Sequence, residues 1–448
     1  MALDFWWLED RTSTTQRVSF RCTADHAAVG VSGNTVAVLA ANNNDRTGYV
    51  DIAVTTAAGT ATLLVDGTPS GTISYPAFAG PSDTFTMGVV GCQTQDYDFT
   101  AGHLLNGDCS LVVQTGDWIY ETETTPAWGE SGLQSCLAYP TAANWFQHHR
   151  QPHKNPGWIN LGHTTPIYKI EDDHDILDRY DRTDTASMAT AITAYVAANG
   201  GTRVDAQTAI EGFAFGAIGA YRHQADYYSF VFGAARIIVP NLMKYTDPVS
   251  MAAGPTKTRM GATQLAWFLS ELAQPETFKI VISSKVLFNG SNDDGWYPDP
   301  AAPANRPGYL NELATILANI KTNGITGIVW MSGDTHMPMI NKMTPEMVAT
   351  KLGIGVATDY PHVINFSPTP SGKIQDHTIT ATAADGVLWM KQAGGGASGL
   401  YRDSVYSKIV VSPAEMRIEM WGIDGKRIGY GIIDAGSNQM RHGWFLDD

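Results

Sequence analysis

"ITGIVWMSGDTHMPMI", residues 325–340, joins an apolar run to a polar turn. Ile325–Met331 reads as a buried strand, and Asp334 and His336 follow it two residues apart. Side chains at i and i+2 on a strand share a face, so this pair can aim at one point: a metal, a substrate or each other. An Asp-x-His alone does not choose among these.

The same arrangement recurs upstream. "TFTMGVVG" (84–91) is followed by Cys92, and "CSLVVQT" (109–115) by "GDWIYE", which carries Asp117, Tyr120 and Glu121. "PIYKI" (166–170) is followed by "EDDHD", with Asp172, Asp173, His174 and Asp175. Each piece has a bland alternative: a Gly-Asp turn, a core thiol, a solvated acidic face. Four strand candidates that each end on a ligand-type residue are not what independent accidents produce. In open α/β sheets the carboxyl ends of the strands are where ligands bind. The set reads as a metal site.

Around these strands the chain alternates strand and helix. "ATQLAWFLSELA" places Leu265, Leu269 and Leu272 on one face. "YLNELATILANIKTNG" does the same with Leu310, Leu313, Leu317 and Ile320 and stops at Asn-Gly. "MATAITAYVAANGG" (188–201) reads as a third helix, and "FKIVISS" (278–284) as a further buried strand. The tail returns to strands in "YSKIVVS", "EMRIEMWGIDG" and "RIGYGIID". Before residue 80 the runs are short and β-rich, among them "RVSFRCTA", "NTVAVLAA", "GYVDIAVTT" and "ATLLVDG", with turn chemistry between them. The expectation is an α/β fold of layered sheets with flanking helices, residues 81–448, preceded by a small N-terminal β-sandwich, residues 1–80.

Composition narrows the function. The 448 residues carry a net charge of −15, which argues against a phosphate-backbone binder and suits hard cations or plain solubility. No apolar run reaches membrane-span length. "MALDFWWLEDRTS" does not read as a signal peptide, so export would need a signal outside this sequence. Four cysteines (22, 92, 109 and 136) are too few for a disulfide scaffold. Cys109 and Cys136 can pair in an oxidising compartment, but buried thiols are the simpler reading.

"GCQ" (91–93), "GDWIYE" (116–121), "DDHD" (172–175) and "SGDTH" (332–336), in this order, resemble the metallophosphoesterase superfamily, and more narrowly the PhoD-type alkaline phosphatases. That family carries Cys-Gln, Gly-Asp-Tyr-Ile-Tyr-Glu, Asp-Asp-His-Glu and Ser-Gly-Asp-x-His blocks. "GATQLAWFLSEL" and "DGWY" resemble two more of its segments. The resemblance implies a phosphoesterase that hydrolyses phosphate mono- or diesters of small molecules with a metal-activated hydroxide. It puts Asp117 in a bridging position. Cys92, Asp117, Tyr120 and His336 make a sulfur, oxygen and nitrogen shell that suits Fe3+. Asp117, Asp173 and Asp334 make an oxygen-only side suited to Ca2+ or Mg2+, and iron with calcium is what the family implies. His174 is expected to attend the leaving oxygen, oriented by Asp172 or Asp175. Asp294 reads equally as a further ligand or as a loop carboxylate, and is left outside the site.

Two departures stand out. The family's Asp-x-Arg signature is absent after "ARIIVPNLMKY", where no Arg stands, and Glu171 replaces the Trp before Asp-Asp-His. The first keeps open a second class of function, a non-catalytic binding or structural protein that retains a phosphatase-like metal domain. "WFQHHRQPHKNPGW" (145–158) fits no metal-ligand spacing and reads as an irregular loop near the site's mouth.

Overall fold

The computed structural model describes residues 3–22, 29–32, 47–93, 99–122, 124, 134–184, 190–191, 227–288, 295–297, 308–336, 338–369, 371, 387–390 and 405–445. The helix read at 188–201 lies almost wholly outside these residues, and Asp294 and the strand "NTVAVLAA" lie outside them entirely.

The chain opens with strands β1 (Leu3–Arg11), β2 (Thr15–Cys22), β3 (Val29–Val31), β4 (Thr47–Ala53), β5 (Gly59–Val65) and β6 (Thr68–Tyr75). They form two antiparallel sheets, β1-β2-β4 and β3-β5-β6. Alternate residues point inward, so Leu8, Val18, Phe20, Val50 and Ile52 of one sheet meet Val29, Val31, Leu63, Val65 and Ile73 of the other in one core. The turn between β5 and β6 is only Asp66 and Gly67, since β6 begins at Thr68. Both turn residues have positive φ (47° and 78°), which matches the twist of a tight hairpin.

Two seven-stranded sheets follow, with helices on their outer faces. In chain order the elements are β7 (Phe85–Val90), α1 (Thr100–Leu105), β8 (Leu111–Gln114), α2 (Ala142–Lys154), α3 (Pro156–Gly162), β9 (Ile167–Lys169), α4 (Asp173–Ile176), β10 (Tyr228–Phe232) and β11 (Ala235–Val239). Next come α5 (Gly261–Leu272), β12 (Phe278–Ser283), α6 (Leu310–Thr322), β13 (Ile328–Ser332), β14 (Met339–Met343), α7 (Pro345–Leu352), β15 (Val363–Ser367) and β16 (Val387–Met390). The chain closes with β17 (Val405–Val411), β18 (Glu415–Gly422), β19 (Arg427–Asp434) and β20 (Met440–Phe445). The sheet orders are β10-β11-β12-β13-β15-β14-β16 and β20-β19-β18-β17-β7-β8-β9. The β-rich tail is therefore no separate unit: β17 pairs antiparallel with β7, Ile409 opposite Met87.

The parallel strands are apolar on both faces because both faces are covered. Ile280 and Ile282 of β12, with Val329 and Met331 of β13, point between the sheets, where they meet Met87, Val89, Leu111 and Val113. Val281 and Trp330 point the other way, against Phe268, Leu313 and Leu317 of α5 and α6. On the far side Val112 packs under Leu105, Trp158 and Leu161. The order helix, sheet, sheet, helix brings the carboxyl ends of both sets of parallel strands to one edge. Among the described residues no helix is long and apolar enough to cross a membrane.

"WFQHHRQPHKNPGW" is not a loop. Thr141 caps α2 by accepting a hydrogen bond from the Asn144 amide, and Asn155 caps α3 by accepting from Gly157, with Pro156 at the first helical position. The pair is pressed against α1 and β1. His153 lies over Trp7 at 4.0 Å between ring centroids, and His163 stacks on Trp6 at 4.1 Å. These histidines are packing surfaces between the N-terminal sandwich and the double sheet, and burial lowers the pKa of His149 to about 3 and of His163 to about 4. Gly157 sets the approach of α3 to α1: a Cβ there would meet the Phe99 carbonyl oxygen at 2.0 Å. Backbone cannot yield as a side-chain tip can. Gly157→Ala should cost about 1–3 kcal/mol of stability, read as a lower urea midpoint with an unchanged m-value.

Candidate active site

Each site residue follows a strand, and the turn that carries it is unusual. Cys92 follows β7, Asp117 follows β8, Asp172 and Asp173 follow β9, and Asp334 and His336 follow β13. Cys92, Asp117, Asp334 and His336 have φ of 50°, 55°, 67° and 46°. Only two other non-glycine residues among those described, Asp66 and Arg179, share that region. A left-handed conformation in a residue with a Cβ is held only when its surroundings over-determine it, and such residues gather at functional sites. Here the surroundings are other strand ends. Cys92 donates its amide to the Gly116 carbonyl, Gln93 donates to that of Asp117, and the Asp334 amide donates to the Cys92 sulfur at 3.1 Å. Gly116 (φ 107°) is needed where it stands, since a Cβ there would lie 2.4 Å from the Cβ of Asp172.

These turns also correct the strand argument for Asp334 and His336. β13 ends at Ser332, so neither residue is on a strand, and the two do not share a direction. His336 turns toward Tyr120 and Asp117. The Tyr120 hydroxyl donates to Asp117 Oδ2 at 2.9 Å and lies 2.8 Å from His336 Nε2. Ligand atoms of Cys92, Asp117 and His336 lie within 4.8 Å of one another. Asp117 Oδ1 is buried with no hydrogen-bond partner among the described residues. A thiol, a phenol, an imidazole and a carboxylate with an unanswered oxygen converge on one point, and that donor set fits a transition metal. Asp334 points elsewhere, toward Lys285.

Lys285 follows β12 and is a fifth strand-end residue, passed over in the sequence although "VISSK" has the same form as the other four. Its ammonium is fully buried, 2.9 Å from Asp334 Oδ1 and 3.0 Å from Asp173 Oδ1. It also makes an ion pair with Asp172 Oδ1 at 3.2 Å, off the line of a hydrogen bond. Asp172, with Asp117 and Asp334, forms a second group whose oxygens lie within 4.8 Å of one another. Burial and then the charges of Asp117 and Asp334 push the Cys92 thiol well up, so a thiolate there requires a cation beside it. Burial raises the Asp173 carboxyl too, but the charges of Lys285 and His174 outweigh it and hold that group low. Asp172 is raised well above the usual carboxylate range by burial, which Lys285 only partly offsets.

The carboxylate on His174 is Glu121. Its Oε2 lies 2.8 Å from His174 Nδ1, and its Oε1 accepts the Asp178 amide. Asp172 and Asp175 were expected there. Asp172 faces Lys285, and the Asp175 oxygens accept the amides of Trp118, Ile119 and Asp172. For Asp175 the reason is local: it stands at the third position of the short helix α4, where its side chain accepts the backbone amide of the N-cap residue Asp172. Burial lowers the His174 pKa, but the hydrogen bond with Glu121 and the charges of Asp117 and Asp173 overcome it and lift it to about 10. Where the family signature has Asp-x-Arg, Asn241 binds the amides of Met243 and Lys244 and donates to Glu171 at 2.6 Å, and Glu171 also accepts from the Tyr180 hydroxyl. That corner holds itself together and presents no guanidinium. Cys109 and Cys136 are free, buried thiols.

A layered double sheet with acidic and metal-type donors at its strand ends is the architecture of the metallophosphoesterases. The solved structure of PhoD matches it with a TM-score of 0.68 at 13% identity, covering 98% of this chain and 91% of that one. Purple acid phosphatase PPD1 from yellow lupin (Lupinus luteus) seeds matches at 0.55 and 13% identity, covering 95% of this chain and 73% of that one. The PhoD-like phosphatase family profile matches residues 87–358, and the chain belongs to that family. Comparison with curated proteins gives no match.

Glu121 was legible as part of "GDWIYE", but nothing in the sequence tied it to His174, 53 residues on. Glu121→Gln should move the His174 titration down toward the ordinary histidine range in metal-free protein, read from imidazole NMR shifts. A titration unchanged by the substitution would show that Glu121 does not hold the proton.

Proposed function

We infer that the chain works as a metal-dependent phosphoesterase, a hydrolase of phosphoric esters. We propose that its chemistry centres on iron held by Cys92, Asp117, Tyr120 and His336. The observation that carries this is the convergence of those four side chains, with Tyr120 joined to both Asp117 and His336 in a buried setting. A metal held there supplies Lewis acidity toward a phosphoryl oxygen and lowers the pKa of a water it binds. The oxygen-only side expected for calcium, Asp117, Asp173 and Asp334, does not fit a second ion as it stands, because Lys285 occupies it.

His174 is the acid in this reading. Glu121 holds Nδ1, which leaves Nε2 as the nitrogen for a departing oxygen, and the hydrogen bond with Glu121 favours the protonated ring. Asp172 shapes the acidic wall beside Asp117 rather than orienting the imidazole. Membership of the family implies small phosphoester substrates. Residues 1–80 we take as a supporting module distinct from the catalytic part, 81–448; its self-contained core favours this division.

Elemental analysis of the purified protein should find iron, and the concentrated protein should be coloured, since thiolate and phenolate ligands give Fe3+ charge-transfer bands. Cys92→Ser and Tyr120→Phe should each shift the band, and Asp117→Asn should lose metal and turnover together. Stoichiometric zinc with no iron would overturn the iron assignment.

His174→Ala should slow alkyl phosphate hydrolysis by about 100-fold or more, with a much smaller effect on nitrophenyl esters, whose leaving group needs little protonation. Equal losses on both substrates would point to positioning instead of proton transfer.

A further inference from the structure

Lys285 is delivered to its place by a rigid turn. β12 and β13 run in parallel register through Ser283 and Ser332, and the Gly333 amide then donates to the Ser283 carbonyl at 3.0 Å. The Ser283 hydroxyl donates to the Lys285 carbonyl. Gly333 is pressed so close that a Cβ would meet the Ser284 carbonyl oxygen at 2.9 Å. The side chain thus leaves a fixed backbone and ends, fully buried, against three carboxylates from both sheets: Asp172 and Asp173 after β9, and Asp334 after β13.

An ammonium carries three N–H groups and no acceptor. Three acidic side chains around it are what its burial demands. A calcium ion binds oxygen at about 2.3–2.6 Å. Asp173 Oδ1 and Asp334 Oδ1, the oxygens such an ion would need, already lie 3.0 and 2.9 Å from the Lys285 ammonium. A second cation on the same oxygens would meet the repulsion of that buried charge.

We propose that Lys285 is the second cation of this site. The chain binds metal only at the Cys92, Asp117, Tyr120 and His336 end, and the position a two-metal phosphoesterase gives to another ion is filled by a covalently attached ammonium. The inference rests on the placement of the metal given above. The ammonium places a fixed positive charge on the acidic wall and cannot be stripped by a chelator.

The test is calcium titration of the purified full chain by isothermal calorimetry, with elemental analysis of the same samples. The wild-type protein should give no saturable calcium isotherm and should contain no stoichiometric calcium beside its iron. Lys285→Ala and Lys285→Met empty the position in two sizes, and each should acquire one saturable calcium site per chain. Stoichiometric calcium in the wild type would overturn the proposal and leave the iron reading intact, and this measurement needs no variant to fold. Folded variants that gain no calcium site would overturn it too, because the three carboxylates would then not form a cation position. Absence of iron from the wild type would instead sink the functional reading, while the calcium isotherms still decide the role of Lys285.

Discussion

The side chains of Asp117, Asp172, Asp173 and Asp334 lie almost out of reach of solvent where the strand ends of two sheets meet. A buried carboxylate costs several kcal/mol unless a cation or a full set of donors answers it. The fold answers with Lys285 from one sheet, His174 braced by Glu121 at the rim, and a donor set open to a metal between Asp117 and Cys92. Every other feature of the edge serves to bring these opposite charges together. A protein with no use for the charge would be more stable with apolar residues of the same volume, so its retention belongs to chemistry and not to folding.

Holding that edge in place falls to the backbone. Four residues in the left-handed region cost on the order of 1–3 kcal/mol each, and the stabilisation that offsets them comes from the sheets behind. The core between the sheets and the two helical layers outside them make the strands rigid enough to impose turns their residues would not choose. The cross-sheet bonds from the Asp334 amide to the Cys92 sulfur, and from the Gly91 amide to the Ser371 hydroxyl, lock one sheet's turns against the other's. The N-terminal sandwich adds support from the side through Trp6 and Trp7, which pack on His163 and His153.

Much of this was legible in the chain. Period-2 and unbroken apolar runs marked β7, β8, β12 and β13, because a strand covered on both faces has no polar position to spend. The leucine faces of α5 and α6 were equally plain. Segment 145–158 was misread because its histidines and tryptophans look polar and irregular; its helices are specified by caps at Thr141 and Asn155 and by packing against β1, and a helix of mixed composition shows neither in a periodicity. The tail's strands could be recognised one by one, but not that β17 would pair with β7, 322 residues of separation being beyond any local pattern (Ile409 opposite Met87 is fixed only by the closed core).

The sequence by itself determined which residue types stand at the strand ends: a thiol, a phenol, two histidines and a row of aspartates, each a step or two past an apolar run. That order is local, and local rules of strand and turn suffice to read it. Only the tertiary structure decided who faces whom. Glu121 reaches His174, Asp172 turns to Lys285 instead of His174, and Asp334 and His336 take different partners, Lys285 and Tyr120, although two residues separate them. Those choices depend on the distance between two sheets and on left-handed turns that the sheets enforce, and neither quantity is written in any short stretch of the chain.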